Sequence, residues 1–336
     1  MILAGDIGGT NARLALFERN GNDVAMRAHQ DYRTRDFGSL DDVIRGFLTN
    51  HPGTVEAACF GVAGPVLQNK VTATNLAWAI DGADLAKSLA LKETLLLNDL
   101  VAYAYGALAM KPEELVILQA GKPAEGNRAL IAAGTGLGEG GLLWYKGAHL
   151  PVPTEGGHSD FAPIDDLGVD LYRYLRAKFG RVSCERVVSG GGLRNIYEFL
   201  RDTKRAEEPP ALAEEMKSAK DVPALISQHG MAGKYTICEQ ALDVFCTYYG
   251  AEAGNIALKF VAIGGVYVGG GIAVKILPKL QTSGFIKAFN DKGRMGPLVN
   301  AMTVTVINNE HAGLIGAAKA ATSSGLRVRE KEQRQT

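Results

Sequence analysis

The sequence predicts a two-domain α/β protein, and three observations carry that prediction. Residues 1–17 (MILAGDIGGTNARLALF) read as an apolar strand, a glycine turn and a returning apolar strand, and residues 128–145 repeat that pattern about 130 residues later. Runs with helical spacing alternate with short β-type runs along both halves. With 336 residues, 46% of them hydrophobic, the chain can bury cores for two domains, or one large one.

In order along the first half, Ile2, Leu3 and Ala4 lead into Gly5 and Asp6, and Leu14 to Phe17 lead out, so a buried hairpin places Asp6 and Thr10 at its tip. Residues 24–29 supply a third strand, and Leu40, Val43, Ile44, Phe47 and Leu48 mark a helix. A strand returns at residues 56–62 and stops at Gly64-Pro65. Residues 70–78 then pass back before Asp81 opens a short helix. In ETLLLNDLVAYAYG, Leu95 to Leu97 end a buried strand while Leu100, Tyr103, Ala104 and Ala107 keep the helical period. Asn98 and Asp99 therefore sit at a strand-to-helix junction.

The second half opens with the strand at residues 128–133, the turn GTGLGEGG and a strand at residues 142–145. A loop containing Pro151 and Pro153 follows, then a helix near residues 166–179 and a glycine turn in CERVVSGGGL that enters another helix. Residues 203–223 are charged and interrupted by proline, and read as a solvated excursion. A helix over residues 241–260 feeds a strand, the triple glycine Gly269, Gly270 and Gly271, and a further helix. The chain closes with a strand at residues 303–307, a helix at residues 312–322 and a frayed charged tail over residues 326–336.

Composition excludes several classes. Lys plus Arg and Asp plus Glu are both 36, so the charge footprint of a nucleic-acid or acidic-membrane binder is missing. Cys59, Cys184, Cys238 and Cys246 form no CxxC pair and read as buried thiols of a reducing compartment. No basic start followed by an apolar run is present, and the longest uncharged stretch, residues 260–274, is short of the ~20 residues a spanning helix needs. These features predict a cytoplasmic protein acting on a small neutral or phosphorylated ligand.

The chemistry concentrates in the turns. Successive N–H groups of a glycine turn cradle anions, and a carboxylate beside a phosphate normally serves a metal ion. Gly8, Gly9, Thr10 and Asp6 thus read as a Mg-nucleotide phosphate turn, with a plain polar hairpin tip as the alternative. Gly136, Gly138 and Gly141 spell a G-x-G-x-x-G, but a dinucleotide fingerprint must open a helix, and here LLWYKG follows. No G-x-x-x-x-G-K-[ST] occurs, which removes a Walker-type loop. Asp99 is either a helix-start carboxylate or the base that takes a proton from a substrate hydroxyl. Glu155 and His158 in TEGGHSDF, with Glu185, form a polar set suited to a polyol.

Taken together, GDIGGTNARLAL, LNDLVAYAYG, AAGTGLGEGGL, PTEGGHSDFAP, CERVVSGGGL and VYVGGGIAVKI resemble, in order and spacing, the bacterial glucokinase family. That family belongs to the sugar kinases sharing the ATPase fold of actin, heat-shock chaperones and hexokinase. The resemblance implies an actin-like (ribonuclease H-like) fold with a mixed sheet in each domain and an interdomain cleft. The small domain would be residues 1–109 completed by a helix at about 311–325, and the large one residues 110–310. It further implies transfer of phosphate from ATP, with Mg²⁺, to the 6-hydroxyl of glucose. Asp99 matches the catalytic base, and Asn98, Asp99, Glu155, His158 and Glu185 match residues that hold glucose. Gly5, Asp6, Ile7, Gly8, Gly9 and Thr10 match the first phosphate segment, Gly134, Thr135 and Gly136 the second, and Gly269, Gly270 and Gly271 the adenosine segment. Asp6 would reach the magnesium through water. The repressor-related sugar kinases have similar turns, but their zinc-binding cysteine cluster is missing from this sequence. Selectivity among glucose, mannose, fructose and glucosamine, the use of ADP or polyphosphate as donor, and assembly as a homodimer stay open. An actin-like ATPase module is the non-enzyme alternative, and the three polyol-type side chains weigh against it.

Overall fold

A computed structural model describes residues 1–21, 23–72, 78–122 and 124–322. The chain divides into two compact units, Met1–Lys111 with the returning segment from Asn309, and Pro112–Asn308.

In the first unit β1 (Ile2–Ile7), β2 (Asn11–Asn20) and β3 (Asp23–Arg33) form an antiparallel meander. The third strand is longer than its apolar run because β2 offers backbone partners from Asn11↔Arg33 to Asn20↔Asp23, and ladder pairing outweighs the polar composition. α1 (Leu40–Asn50) starts at Ser39, whose hydroxyl accepts the Asp42 N–H at 3.1 Å, and buries Leu40, Val43, Ile44 and Phe47. β4 (Ala57–Val62) lies parallel to β1. β5 (Lys70–Thr72) and β6 (Ala79–Asp81) make a small ribbon before α2 (Gly82–Ser88), and residues 73–77 of the expected return lie outside the described residues. β7 (Thr94–Asn98) then adds a parallel edge and runs straight into α3 (Asp99–Ala109), giving the order β3-β2-β1-β4-β7.

The second unit holds a six-stranded mixed sheet made from β8 (Leu115–Gln119), β9 (Arg128–Ala133), β10 (Leu137–Tyr145), β11 (Ala148–Thr154), β12 (Val266–Gly269) and β13 (Val304–Ile307), in the order β11-β10-β9-β12-β13-β8. Its helices are α4 (Asp166–Phe179), α5 (Gly190–Asp202), α6 (Pro210–Ser218), α7 (Val222–Met231), α8 (Thr236–Phe260), α9 (Gly270–Lys275), α10 (Leu277–Thr282), α11 (Phe285–Asn290) and α12 (Gly296–Asn300). α8 is the spine of this core, burying Leu242, Phe245, Tyr249 and Ile256 among others. No helix among the described residues is long and apolar enough to cross a membrane.

Four sequence expectations change here. Only Gly134, Thr135 and Gly136 of the second glycine segment form the turn, and the GEGG that follows is strand. At Gly141 a Cβ would lie 2.1 Å from the Phe260 ring, so that glycine makes room for α8 and not for a ligand. The proline loop is the strand β11. It is tolerated because β11 is an edge, where a missing N–H interrupts no second ladder. Gly190 and Gly191 begin α5 instead of preceding it, with Ser189 as cap accepting the Gly192 N–H at 2.9 Å. Residues 203–223 contain α6, whose Leu212 is fully buried, so one inward leucine and the proline at its start outweigh the surrounding charge. The tail expectation over residues 326–336 lies outside the described residues.

The returning helix α13 (Ala312–Thr322) completes the first unit by packing on α3. Two glycines set the approach. A Cβ on Gly106 would stand 1.9 Å from the Ala312 carbonyl oxygen, and one on Gly316 would stand 1.8 Å from that of Ala102. The alanine-rich sequence of α13 is thus a backbone-contact surface that buries Leu314, Ala317, Ala318, Ala320 and Ala321.

Candidate active site

The first unit gathers its candidates at the carboxyl ends of its parallel strands, the edge where open α/β sheets bind ligands. Ile7, Val62 and Asn98 stand side by side in the ladder as the last residues of β1, β4 and β7. The turn carrying Gly8, Gly9 and Thr10 therefore leaves the same edge as Asn98 and Asp99. Thr34, buried behind the turn, braces it: its hydroxyl donates to the Gly9 carbonyl at 2.6 Å and its N–H to the Thr10 carbonyl at 3.1 Å. Gly8 donates its N–H to the Asn11 carbonyl at 2.9 Å, and Thr10 is left exposed at the tip. Gly5 sits one step inside the strand, where a Cβ would stand 2.4 Å from the Phe60 ring. Its place is in sheet packing.

Asp6 faces Arg13 of β2, which lies between two carboxylates, Asp6 at 3.9 Å and Asp31 at 3.6 Å. Although 36% of its side chain is exposed, the crowding of protein around Asp6 raises its carboxyl above the usual range, with Arg13 lowering it and Asp31 raising it further. At the junction, Asn98 is the cap of α3. Its Oδ1 accepts the N–H groups of Leu100 at 3.0 Å and Val101 at 3.4 Å, and its amide donates to the Gly64 carbonyl at 3.2 Å. Asp99 is the first helical residue, half-buried, with Oδ1 on the same Leu100 N–H at 2.9 Å. Gly61 of β4 admits it: a Cβ there would be 3.5 Å from the Asp99 Cα and 2.8 Å from the Ala102 Cβ.

In the second unit the glycine segments again meet at strand ends, because Gly269 of β12 pairs with Ala132 of β9. Gly134 donates to the Gly136 carbonyl and its own carbonyl accepts the Gly190 N–H, both at 2.9 Å, while Thr135 is exposed at the tip. Gly270 has φ +84° and would place a Cβ 2.3 Å from the Ala133 carbonyl oxygen, so this position needs glycine twice over. Tyr249 of α8 ties the two segments together, accepting the Ala133 N–H at 3.2 Å and donating to the Gly269 carbonyl at 2.9 Å.

Glu155 and His158 flank the turn Gly156–His158 after β11, largely exposed, with Oε2 and Nε2 4.0 Å apart. Glu185 lies in the turn Cys184–Arg186, and Cys184 donates its N–H to the Ser159 carbonyl at 2.9 Å, stitching the two turns together. The Glu185 Oε2 accepts the Leu137 N–H at 3.0 Å, and a Cβ on Gly136 would be 2.6 Å from that oxygen. One carboxylate thus connects the polyol-type cluster with the second glycine turn. The pair Gly156-Gly157 is explained by contact: Cβ atoms there would meet the Glu139 Oε2 at 2.3 Å and the Leu137 carbonyl oxygen at 2.1 Å.

Signals in the sequence did not single out Thr34 and Tyr249, which brace the turns, or the buried carboxyls Glu139, which touches Gly156, and Glu252. Glu139 had a signal, a carboxylate inside a glycine-rich strand. Burial pushes its carboxyl up to about 8, aided by the Glu252 charge and opposed by Lys259. All four cysteines are buried, as the sequence led us to expect.

The family model described as Glucokinase matches residues 3–324. A glucokinase of Nostoc sp. is 43% identical over 96% of this chain and 98% of its own length. The chain belongs to the glucokinase family. A Shigella dysenteriae glucokinase is 37% identical, covering 94% of this chain and 95% of itself. The crystal structure of a glucokinase from an Antarctic psychrotroph superposes with TM-score 0.79 at 31% identity, over 95% of this chain and 98% of that one. A Streptomyces griseus ROK-family glucokinase, solved with glucose and AMPPNP, shares the fold alone, at TM-score 0.68 and 21% identity over 95% and 98% of the two chains. The architecture is therefore that of the two-domain sugar kinases of the actin-like ATPase fold.

Proposed function

We propose that this member of the glucokinase family transfers the γ-phosphoryl group of ATP to the 6-hydroxyl of D-glucose. The observation that carries the reading is the family match over residues 3–324, which spans the paired glycine turns, Asp99 and the Glu155, His158 and Glu185 cluster. Asp99 takes the proton from the 6-hydroxyl as that oxygen attacks, while Asn98, Glu155, His158 and Glu185 hold the remaining hydroxyls. The turns at Gly8, Gly9 and Thr10 and at Gly134, Thr135 and Gly136 present N–H and hydroxyl donors to phosphate oxygens, and Gly269, Gly270 and Gly271 offer bare backbone to the adenosine.

Magnesium fits one place. Among the described residues no group of three or more His, Cys, Asp or Glu side chains could hold a metal, and Asp6 offers one carboxylate beside the first turn. A magnesium ion keeps several waters and needs one or two carboxylates besides substrate phosphates, so Asp6 suits an ion that enters with ATP and is held through water. Bound there, the ion neutralises charge on the transferring group.

ADP release coupled to a reporter, measured across glucose, mannose, fructose and glucosamine with MgATP, tests the reading. Glucose is expected to give the highest kcat/KM, and another hexose leading the panel would overturn the substrate assignment. A sharper test is Glu185→Gln. Its amide oxygen can still accept the Leu137 N–H, so the fold should hold. A charged hydrogen bond to a sugar hydroxyl is lost, so glucose KM should rise about 10- to 150-fold. An unchanged KM would return Glu185 to a purely structural role.

A further inference from the structure

Two carboxyl groups meet where α8 packs on β10: Glu139, which touches Gly156 in the turn that carries His158, and Glu252, close enough to act on Glu139 by charge and by hydrogen bond. Glu139 of β10 is 1% exposed and Glu252 of α8 is 6% exposed. Glu252 has its own donors, the Asn255 amide at 2.8 Å and the Lys259 ammonium at 3.3 Å. Glu139 has none on its Oε1, which is buried without a hydrogen-bond partner among the described residues. A buried carboxylate with no donor is costly, and a second carboxyl beside it makes ionisation costlier still. A single proton between the two removes both penalties, since one carboxyl then donates to the other.

The Glu139 residue grips the turn at two points. Its Oε2 rests against the bare Cα of Gly156, and its carbonyl accepts the Thr154 hydroxyl at 2.8 Å, whose oxygen in turn accepts the Gly156 N–H at 3.0 Å. The other titratable groups facing the pair are Lys259 from α8, the Cys184 thiol, which burial and then both carboxyls push up, and Lys292, which faces Glu252 and donates to the Ala251 carbonyl at 2.9 Å. Asp291 acts on Lys292, and His158 and Glu155 lie on the far, exposed side of the turn.

We propose that Glu139 and Glu252 share one proton and that this protonated pair is a positioning device, holding the Gly156–His158 turn so that Glu155 and His158 are aimed at the sugar. The sugar half of the inference rests on the assignment of those two side chains made above. Loss of the shared proton to solvent at alkaline pH leaves two anions in contact and pushes Glu139 against Gly156, loosening the turn. The sign follows from linkage. The folded chain binds this proton more tightly than the unfolded one, so the pair's contribution to stability is whole below the unfolded carboxyl pKa and is lost as pH rises through the raised folded value.

The test compares wild type with Glu139→Gln, whose amide keeps a donor toward Glu252 and cannot ionise. Infrared spectra of the wild type without ligand should contain a protonated-carboxyl band at neutral pH that fades toward about pH 9.5 and is missing in E139Q. The His158 ring resonance should shift over the same range in wild type only. Glucose KM should rise about tenfold in wild type with kcat little changed, and stay within about twofold in E139Q, one unit of coupling being tenfold in affinity. Absence of the band in wild type, or the same alkaline rise in E139Q, overturns the proposal. If band and resonance behave as stated while KM stays flat, the proton-sharing pair stands and the assignment of Glu155 and His158 to the sugar is what fails. Should E139Q not fold, Glu252→Gln removes the second carboxyl and must move the alkaline step to lower pH, since burial alone then raises Glu139; an unmoved step overturns the shared proton.

Discussion

Asp99→Ala is expected to lower kcat by about 10² to 10⁴, the usual worth of a positioned general base, while leaving the protein folded. The stability half of this expectation comes from the cap geometry. The Leu100 N–H is shared between Asn98 Oδ1 at 3.0 Å and Asp99 Oδ1 at 2.9 Å, so that donor keeps an acceptor when the Asp99 carboxylate is deleted. The substitution also removes a first-turn charge on the helix dipole, worth about 0.3–1 kcal/mol. Asn98→Ala should cost more in the unfolding experiment, about 0.5–2 kcal/mol, because Val101 and the Gly64 carbonyl lose their side-chain partner. Steady-state kinetics on the folded fraction, beside thermal melts of both variants, separates the two roles. A folded Asp99→Ala enzyme with nearly normal kcat would make Asp99 a helix-start residue and nothing more.

Gly106→Leu should destabilise the first unit by about 3 kcal/mol or more, at the upper end of what overpacking costs. The added side chain would have to occupy the space of the Ala312 carbonyl, and helix backbones cannot yield as a flexible side chain does. Separating α3 from α13 would also expose the alanines and Leu314 that close one face of the five-stranded sheet. Because α3 begins at Asp99, its displacement should reach the proposed base too. Trp78 is buried in the first unit, with its indole N–H on the Phe37 carbonyl at 3.2 Å, and Trp144 lies in the second. Urea unfolding followed by Trp78 in a Trp144→Phe background therefore isolates the affected unit. Gly46→Ala in α1, where a Cβ would meet no atom within 4 Å, is the control and should be neutral or stabilising by up to about 1 kcal/mol. Equal midpoints for Gly106→Leu and its parent would contradict the backbone contact.

Local patterns made much of this protein readable from the chain alone. Apolar runs flanking a glycine turn specify a hairpin without distant help, and the helix expected from Ala312 begins there as α13. The junction at Asn98 and Asp99 was legible for the same reason, since strand period, cap residue and helix period are all short-range signals. Short-range signals fail where a distant partner decides. Two prolines read as a loop until β10 supplies an edge ladder for β11. A charged stretch reads as solvated until a pocket receives Leu212, and what a glycine makes room for is undecided until the neighbour at its missing Cβ is known. Gly5 before Phe60, Gly141 before Phe260 and Gly106 before Ala312 are packing glycines, whereas Gly270, at φ +84°, is one by conformation as well. Glu139 marks the same boundary at the level of chemistry. In sequence it is one carboxylate in a glycine-rich strand, and its environment is decided by Glu252, 113 positions away on α8, because burial and like charge are properties of the folded interior and not of neighbouring residues.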